Sequence, residues 1–154
     1  RAETVATKSA FRSVFKKLRC LILADSFVEW QKSGIVKTPM LIRMKSEEPF
    51  AMAGLYENWK KESGTMLESC TIVTTAANEF MKPIHLRMPV ILRTENEKSW
   101  LDPDLQDTSA IGDLLEPVSP DLLEAYEIST FVNSPKNQGV KVIQPMDYQD
   151  SLLF

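Results

Sequence analysis

The amino-acid sequence predicts an α+β fold with mostly antiparallel strand pairing. Three observations lead there. An amphipathic helical segment opens the chain, several short apolar runs rich in strand formers follow, and short helical patterns gather toward the end. The links between apolar runs are also short, whereas a parallel crossover needs about a dozen residues or more. At 154 residues and 44% hydrophobic, with no repeat, low-complexity segment or linker, the chain suits a single domain over residues 1–154.

Each element has its own signal. In "ETVATKSAFRSVFKKLR", Phe11, Val14, Phe15 and Leu18 recur at helical spacing, with Arg12, Lys16 and Lys17 between them. That is one amphipathic helix with its cations toward the C-terminal end, where the dipole favours them. "CLILADSFVEW", Cys20 to Trp30, is apolar on both parities and reads as one buried strand. "QKSGIVK" is a turn around Gly34. "TPMLIRMK" and "PFAMAGLYENW" read as two strands joined by "SEE" into a hairpin. "SCTIVTTAA" is a further strand, running into a helical turn at "ANEFMK" that Pro83 ends, and "RMPVILR" is a strand again. "ENEKSWLDPD" and "TSAIGDLLEPV" read as short helices, and Ser119-Pro120-Asp121 is a helix start for "SPDLLEAYEI". "STFVNSP" and "VKVIQP" read as two short strands around "KNQG", and "MDYQDSLLF" as a loosely held end.

Composition narrows the function classes. The formal charge of −3 and a pI near 5.3 exclude a histone-like, wholly electrostatic nucleic-acid binder. A local basic groove stays open, because phosphate contacts need only a few placed Arg and Lys. No run approaches the roughly 18 apolar residues of a membrane span, and no signal-peptide pattern is present, so no membrane partner is expected. Cys20 and Cys70 lie far apart, form no C-x-x-C pair, and each opens an apolar run. Both read as reduced, strand-embedded small hydrophobes of a cytosolic or nuclear protein, and a disulfide between them has no sequence support. With one histidine there is no credible zinc site, and no metal or cofactor is expected.

Several residues carry candidate chemistry. Glu29 sits between Val28 and Trp30 at the end of a strand apolar on both faces. It either emerges at the sheet rim as a solvated residue or is partly buried with a raised pKa, poised as a general acid or base. His85, the only histidine, lies in the connection that feeds "RMPVIL". A rigid scaffold commonly holds catalytic groups in such a place, and a surface or hydrogen-bonded core histidine is the bland alternative. Arg87 shares its side if the segment is extended, and the two suit an anionic ligand or an ordinary salt bridge. Thr74, in "TTAAN", places a hydroxyl at another strand end, which is also a helix N-cap signal. No G-x-S-x-G, P-loop or G-x-G-x-x-G occurs.

Taken in order, "RAET", "RCLILADSFVEW", "TPMLIRM", "FAMAGLYENW", "CTIVTTAAN", "IHLRMPVIL", "WLD" and "VNSPKN" resemble the SRAP (SOS response-associated peptidase) family over nearly the whole chain. The resemblance implies mostly antiparallel sheets, arranged as a partly closed barrel with short peripheral helices. It also implies a monomeric sensor of abasic sites in single-stranded DNA. An N-terminal cysteine would condense with the abasic aldehyde through its amine and close a thiazolidine through its thiol, leaving a stable covalent adduct. In some members the same cysteine releases a short leader by autoproteolysis. By motif, Glu29 would position or deprotonate the amine, and His85 would handle the proton of the sugar oxygen as the ring opens. Arg1 and Arg87 would hold the DNA backbone, with Thr74 lining the same pocket. The site would lie in the nucleoid-bearing cytoplasm of a bacterium or the nucleus of a eukaryote.

The chain departs from the family pattern at several points. Ser26 and Val28 stand in "DSFVEW" where the family usually reads glycine and tyrosine, and Leu86 stands where aspartate or histidine is common. Serine is tolerated at 26 only if the backbone there keeps φ negative. The family's first third, with its cysteine, is expected to precede Arg1, because the thiazolidine needs amine and thiol on one residue and neither Cys20 nor Cys70 offers both. Two other readings remain: a peptidase using Glu29 and His85 as base and acid, and a non-catalytic module binding single-stranded DNA or protein.

Overall fold

In the computed structural model, which describes residues 1–146, the apolar runs form eight strands in three antiparallel sheets. Numbered in chain order, β1 (Arg19–Ala24) and β5 (Met66–Ile72) flank β4 (Phe50–Lys60). β3 (Val36–Met44) lies between β2 (Ser26–Ser33) and β8 (Leu123–Glu127), while β6 (Thr74–Ala76) pairs with β7 (Arg87–Pro89). Four short helices, α1 (Ala2–Val5), α2 (Arg12–Lys17), α3 (Thr94–Leu101) and α4 (Thr108–Gly112), lie around them. The class is α+β, as the sequence predicts. A bridge from Met52 to Ile91 ties β4 to the segment after β7, but the sheets do not close into a barrel.

Strand β4 partitions the interior. Its side chains alternate between faces. Phe50 and Met52 join Ile42, Met81, Met88, Ile91 and Leu123 in one cluster. Ala53 and Leu55 join Phe15, Val73, Val90, Trp100 and Ile111 in the other. Gly54 faces Cys20 across the β1–β4 pairing, and a Cβ on it would meet Cys20 Sγ at 2.8 Å and Ile22 Cδ1 at 2.9 Å. The glycine is there for space.

Several local expectations give way to tertiary pairing. The front helix is two, because the chain turns through residues 6–11, where the Thr7 hydroxyl donates to the Thr4 carbonyl and competes with propagation. The run from Cys20 to Trp30 breaks at Asp25, with β1 pairing to β4 and β2 to β3. The hairpin is therefore β2–β3, turning at Gly34 (φ +61°) and Ile35, and β3 and β4 lie in different sheets. "SCTIVTTAA" is also split, at Val73, whose N–H donates to Ala53 while its carbonyl accepts from Val90. In "RMPVILR" only Arg87–Pro89 is strand, followed by the isolated bridge at Ile91.

The helix start at Ser119 yields one 3-10 turn, Pro120–Leu122, after which Leu123–Glu127 pairs with β3. The two strands expected near the end are 3-10 turns at Thr130–Asn133 and Val140–Val142. Beyond Met146, the loosely held end lies outside the described residues. Cys20 and Cys70 are both free thiols, Cys20 half-buried, and burial together with nearby Cys70 pushes the Cys20 thiol up. Cys70 is exposed, because β5 packs on β4 without a layer over it.

Two substitutions test this account by urea unfolding. Gly54→Ala forces a Cβ into Cys20 and Ile22 and is expected to cost about 1–3 kcal/mol through overpacking. Replacing buried Arg19, which donates to five backbone carbonyls, with methionine is expected to cost about 3–5 kcal/mol by leaving those acceptors unpaired.

Candidate functional site

A buried asparagine sets the local backbone. Asn78 donates from its amide to the Val118 carbonyl (2.8 Å) and accepts from the Met81 N–H (2.9 Å), capping a turn. Contrary to the expectation that Pro83 ends it, that turn runs through Pro83 and closes where the Ile84 and His85 N–H groups reach the Met81 carbonyl, each at 2.9 Å. The next residues enter β7. From the opposite sheet, Gln31 donates to the Pro83 carbonyl at 3.1 Å. Glu29 lies two residues back on the same face of β2. This tether brings Glu29 Oε1 to 3.9 Å from His85 Nδ1, with both side chains partly solvent-exposed.

At 3.9 Å the two are not hydrogen-bonded, and a small closure or a shared proton would join them. Glu29 is not at a strand end, as the sequence reading had it: it pairs with Met40 in the middle of β2. The strand runs on to Ser33 because the β2–β3 hairpin extends it. The His85 ring is held by a peptide. Its Nδ1 lies 2.9 Å from the Arg87 carbonyl and 3.2 Å from the Arg87 N–H. The carbonyl contact calls for a proton on Nδ1, whereas the Arg87 N–H donates to Nδ1 and calls for a lone pair there, so this one peptide can hold either neutral form of the ring.

Arg87 is the most connected group of the cluster. Its guanidinium donates to Glu3 through both terminal nitrogens, at 2.6 and 3.0 Å, and to the Thr74 carbonyl (2.6 Å) and hydroxyl (3.3 Å). Its Nε–H is buried without a partner. The hydrogen bond from Arg87 holds the Glu3 carboxyl down at about 2. Thr74 and Arg87 come together because β6 and β7 pair, with Thr74 opposite Pro89 and Ala76 opposite Arg87. Arg1 is exposed at the head of α1, its carbonyl accepting from Thr4 and Val5. It lies two residues ahead of Glu3, whose carboxylate accepts from Arg87, so that end of α1 is near the cluster.

The structure thus gathers Glu29, His85, Thr74 and Arg87, with Arg1 at the margin. Sequence reasoning missed Glu3, although it stands inside the quoted "RAET". Its partner lies 84 positions away, so no local spacing reveals the pair. The cluster is a surface feature. A groove of about 460 Å³ lies elsewhere, lined by Met44, Phe50, Ile91, Arg93, Glu95 and Leu122 among others. Among the described residues, no group of three or more His, Cys, Asp or Glu is placed to hold a metal ion.

The family model described as SOS response associated peptidase (SRAP) matches residues 1–135. The chain belongs to the SRAP family. It is 49% identical over 145 residues to the abasic site processing protein YoqW of Bacillus subtilis, covering 94% of this chain and 65% of that protein. It is 31% identical over 147 residues to the abasic site processing protein YedK of Escherichia coli, covering 95% and 66%. A crystal structure of a protein from Bacteroides thetaiotaomicron superposes with a TM-score of 0.88 at 34% identity, covering 95% of this chain and 64% of that one. This SRAP chain therefore spans just under two thirds of these relatives' lengths. Its serine at position 26 sits comfortably, since Glu47 is the only non-glycine at positive φ among the described residues.

The Glu3–Arg87 pair makes a pH prediction. Because the folded carboxyl is held at about 2, the pair's contribution is present above the ordinary value of 4.5 and is lost as pH falls through about 2. A carbon-detected NMR titration of Glu3 should show that low midpoint. In Arg87→Met it should rise toward the ordinary carboxylate range.

Proposed function

We propose that this chain is the larger part of a domain that captures abasic sites in single-stranded DNA as a covalent crosslink. The observation that carries the reading is the approach of Glu29 to His85 at 3.9 Å, across two sheets and beside Arg87 and Thr74. The names of its relatives, abasic site processing proteins, support the same substrate class.

In this reading the nucleophile is an N-terminal cysteine supplied by residues upstream of Arg1. The open abasic sugar presents an aldehyde. The cysteine amine attacks its carbon, water leaves, and an imine forms. The thiol then adds to that imine carbon, its proton passing to nitrogen, and closes the thiazolidine. Glu29 takes a proton from the cysteine ammonium and so frees the amine that attacks. His85 exchanges the proton of the sugar ring oxygen as the ring opens. Arg87, Thr74 and Arg1 face the phosphates flanking the lesion. Arg87 keeps one terminal N–H beyond those given to Glu3 and Thr74, so it makes a single phosphate contact rather than a fork.

The test is a denaturing-gel assay on the protein with its natural upstream residues and single-stranded DNA bearing one abasic site. A covalent band that depends on the N-terminal cysteine is expected. Glu29→Gln and His85→Ala should each slow its formation by about 10²-fold. Salt-sensitive binding with no covalent band would instead favour a non-catalytic DNA-binding module.

A further inference from the structure

We propose that Glu3 is a positioning residue for the Glu29–His85 pair: its two-point grip on Arg87 fixes the peptide that holds the His85 ring. The inference deepens the crosslinking reading and rests on the same site.

On the N-terminal side of that peptide the other restraints are few. β7 has only three residues, and Arg87 is its first. Leu86, just before it, is 76% exposed and contributes little packing. Ahead of that, the Ala77 N–H to Leu86 carbonyl bond (3.1 Å) continues the β6–β7 ladder. Buried Met88, paired with Thr75, holds the far side of the peptide, and the Arg87 side chain anchors the near side. It crosses β6 at Thr74 and ends on Glu3 of α1, so one guanidinium ties α1, β6 and β7 together.

The main chain of the same residue meets His85 Nδ1, through its carbonyl at 2.9 Å and its N–H at 3.2 Å. Moving the Arg87 side chain therefore moves the group that selects the His85 tautomer. A carboxylate is the right partner. Its two acceptor oxygens match the planar fork, whereas an amide offers one acceptor and turns an NH2 toward the guanidinium. The hydrogen bonds and ion pair of the Glu3 carboxylate all go to Arg87, so it acts through that residue.

The sole histidine makes the test unambiguous. On the full chain without DNA, the ring nitrogens of 15N-labelled His85 are read by NMR across a pH series. In the wild type the neutral ring is expected as the Nδ1–H form, donated to the Arg87 carbonyl. Glu3→Gln should shift the ring toward the Nε2–H form that free imidazole favours in water. Glu3→Asp, which keeps both oxygens, should retain most of the Nδ1–H form. In the crosslinking assay Glu3→Gln should capture about tenfold more slowly, in line with a small misplacement of the reacting groups.

Identical ring shifts in wild type and Glu3→Gln would overturn the proposal, whatever happened to stability, because a merely structural glutamate would leave the tautomer alone. A wild-type ring already in the Nε2–H form would overturn it too. If Glu3→Gln fails to unfold cooperatively, Glu3→Ala, which removes both acceptor oxygens, carries the test: a ring displaced toward the Nε2–H form in that variant supports the proposal, and an unmoved ring overturns it. Ring shifts as expected, with no covalent capture by any variant, would leave Glu3 as a positioning residue and sink the crosslinking reading. Capture with an unmoved ring would do the reverse.

Discussion

The guanidinium of Arg19 is the knot on which the helical side of the structure depends. It begins β1, is only 6% exposed, and directs its five N–H groups at the carbonyls of Phe15, Lys16, Trp100, Asp102 and Leu105. Four of these belong to the last turns or immediate ends of α2 and α3, where carbonyls have no helical partner. One buried cation thus caps two helix C-termini, the ends at which the dipoles are negative. The Trp100 ring lies 5.7 Å from the same guanidinium, and its indole N–H donates to the Cys20 carbonyl at 2.9 Å. A lysine could not replace it. Its three donors radiate from one point and cannot fan across five acceptors.

Fixing Arg19 fixes where β1 starts, and with it the register that sets Cys20 opposite Gly54. β4 then lies with Phe50 and Met52 toward one core and Ala53 and Leu55 toward the other. Asp25 ends β1, and the chain leaves for the second sheet as β2, locked by full-length pairing with β3. The separation of Glu29 from His85 is therefore a property of two sheets meeting. Gln31 and the Pro83 carbonyl are the direct stitch between them. The candidate chemistry sits where rigid elements from distant parts of the sequence converge, which is where preorganisation is cheapest to maintain.

The class of fold was legible because short apolar runs with short links leave little choice but antiparallel sheets. The pairings were not. Residues 20–30 are apolar on both parities, so the pattern cannot show that the two halves join different sheets, and only the partners β4 and β3 decide it. Both "KSGIVK" and "KSEEPF" carry turn chemistry, and only tertiary context selects the first as the hairpin. Ser-Pro-Asp did start a helical turn. It yielded after three residues because Leu123 is wholly buried and Leu123–Glu127 fills the open edge of β3. Spacing alone marked Glu29, His85 and Thr74 as strand-end polar groups, and the resemblance of ordered motifs joined them into one site. Glu3 escaped both routes, since a charge pair between a terminal helix and β7 leaves no periodic trace.

The electrostatics of this site also bear on how an acidic chain could meet DNA. On the proposed reading, these 154 residues, with a formal charge of −3, attract DNA only locally, yet their central cation, Arg87, is already matched by Glu3. Removing Glu3 would raise the local positive charge and strengthen nonspecific contact with phosphate, while loosening the peptide beside His85. On that reading, binding strength and catalytic geometry thus pull on Glu3 in opposite directions. A variant that binds DNA more tightly while capturing abasic sites more slowly is the signature of such a conflict. On the proposed reading, the site favours geometry: Arg87 is matched by Glu3 and its main chain meets His85 Nδ1, at the expense of one free positive charge.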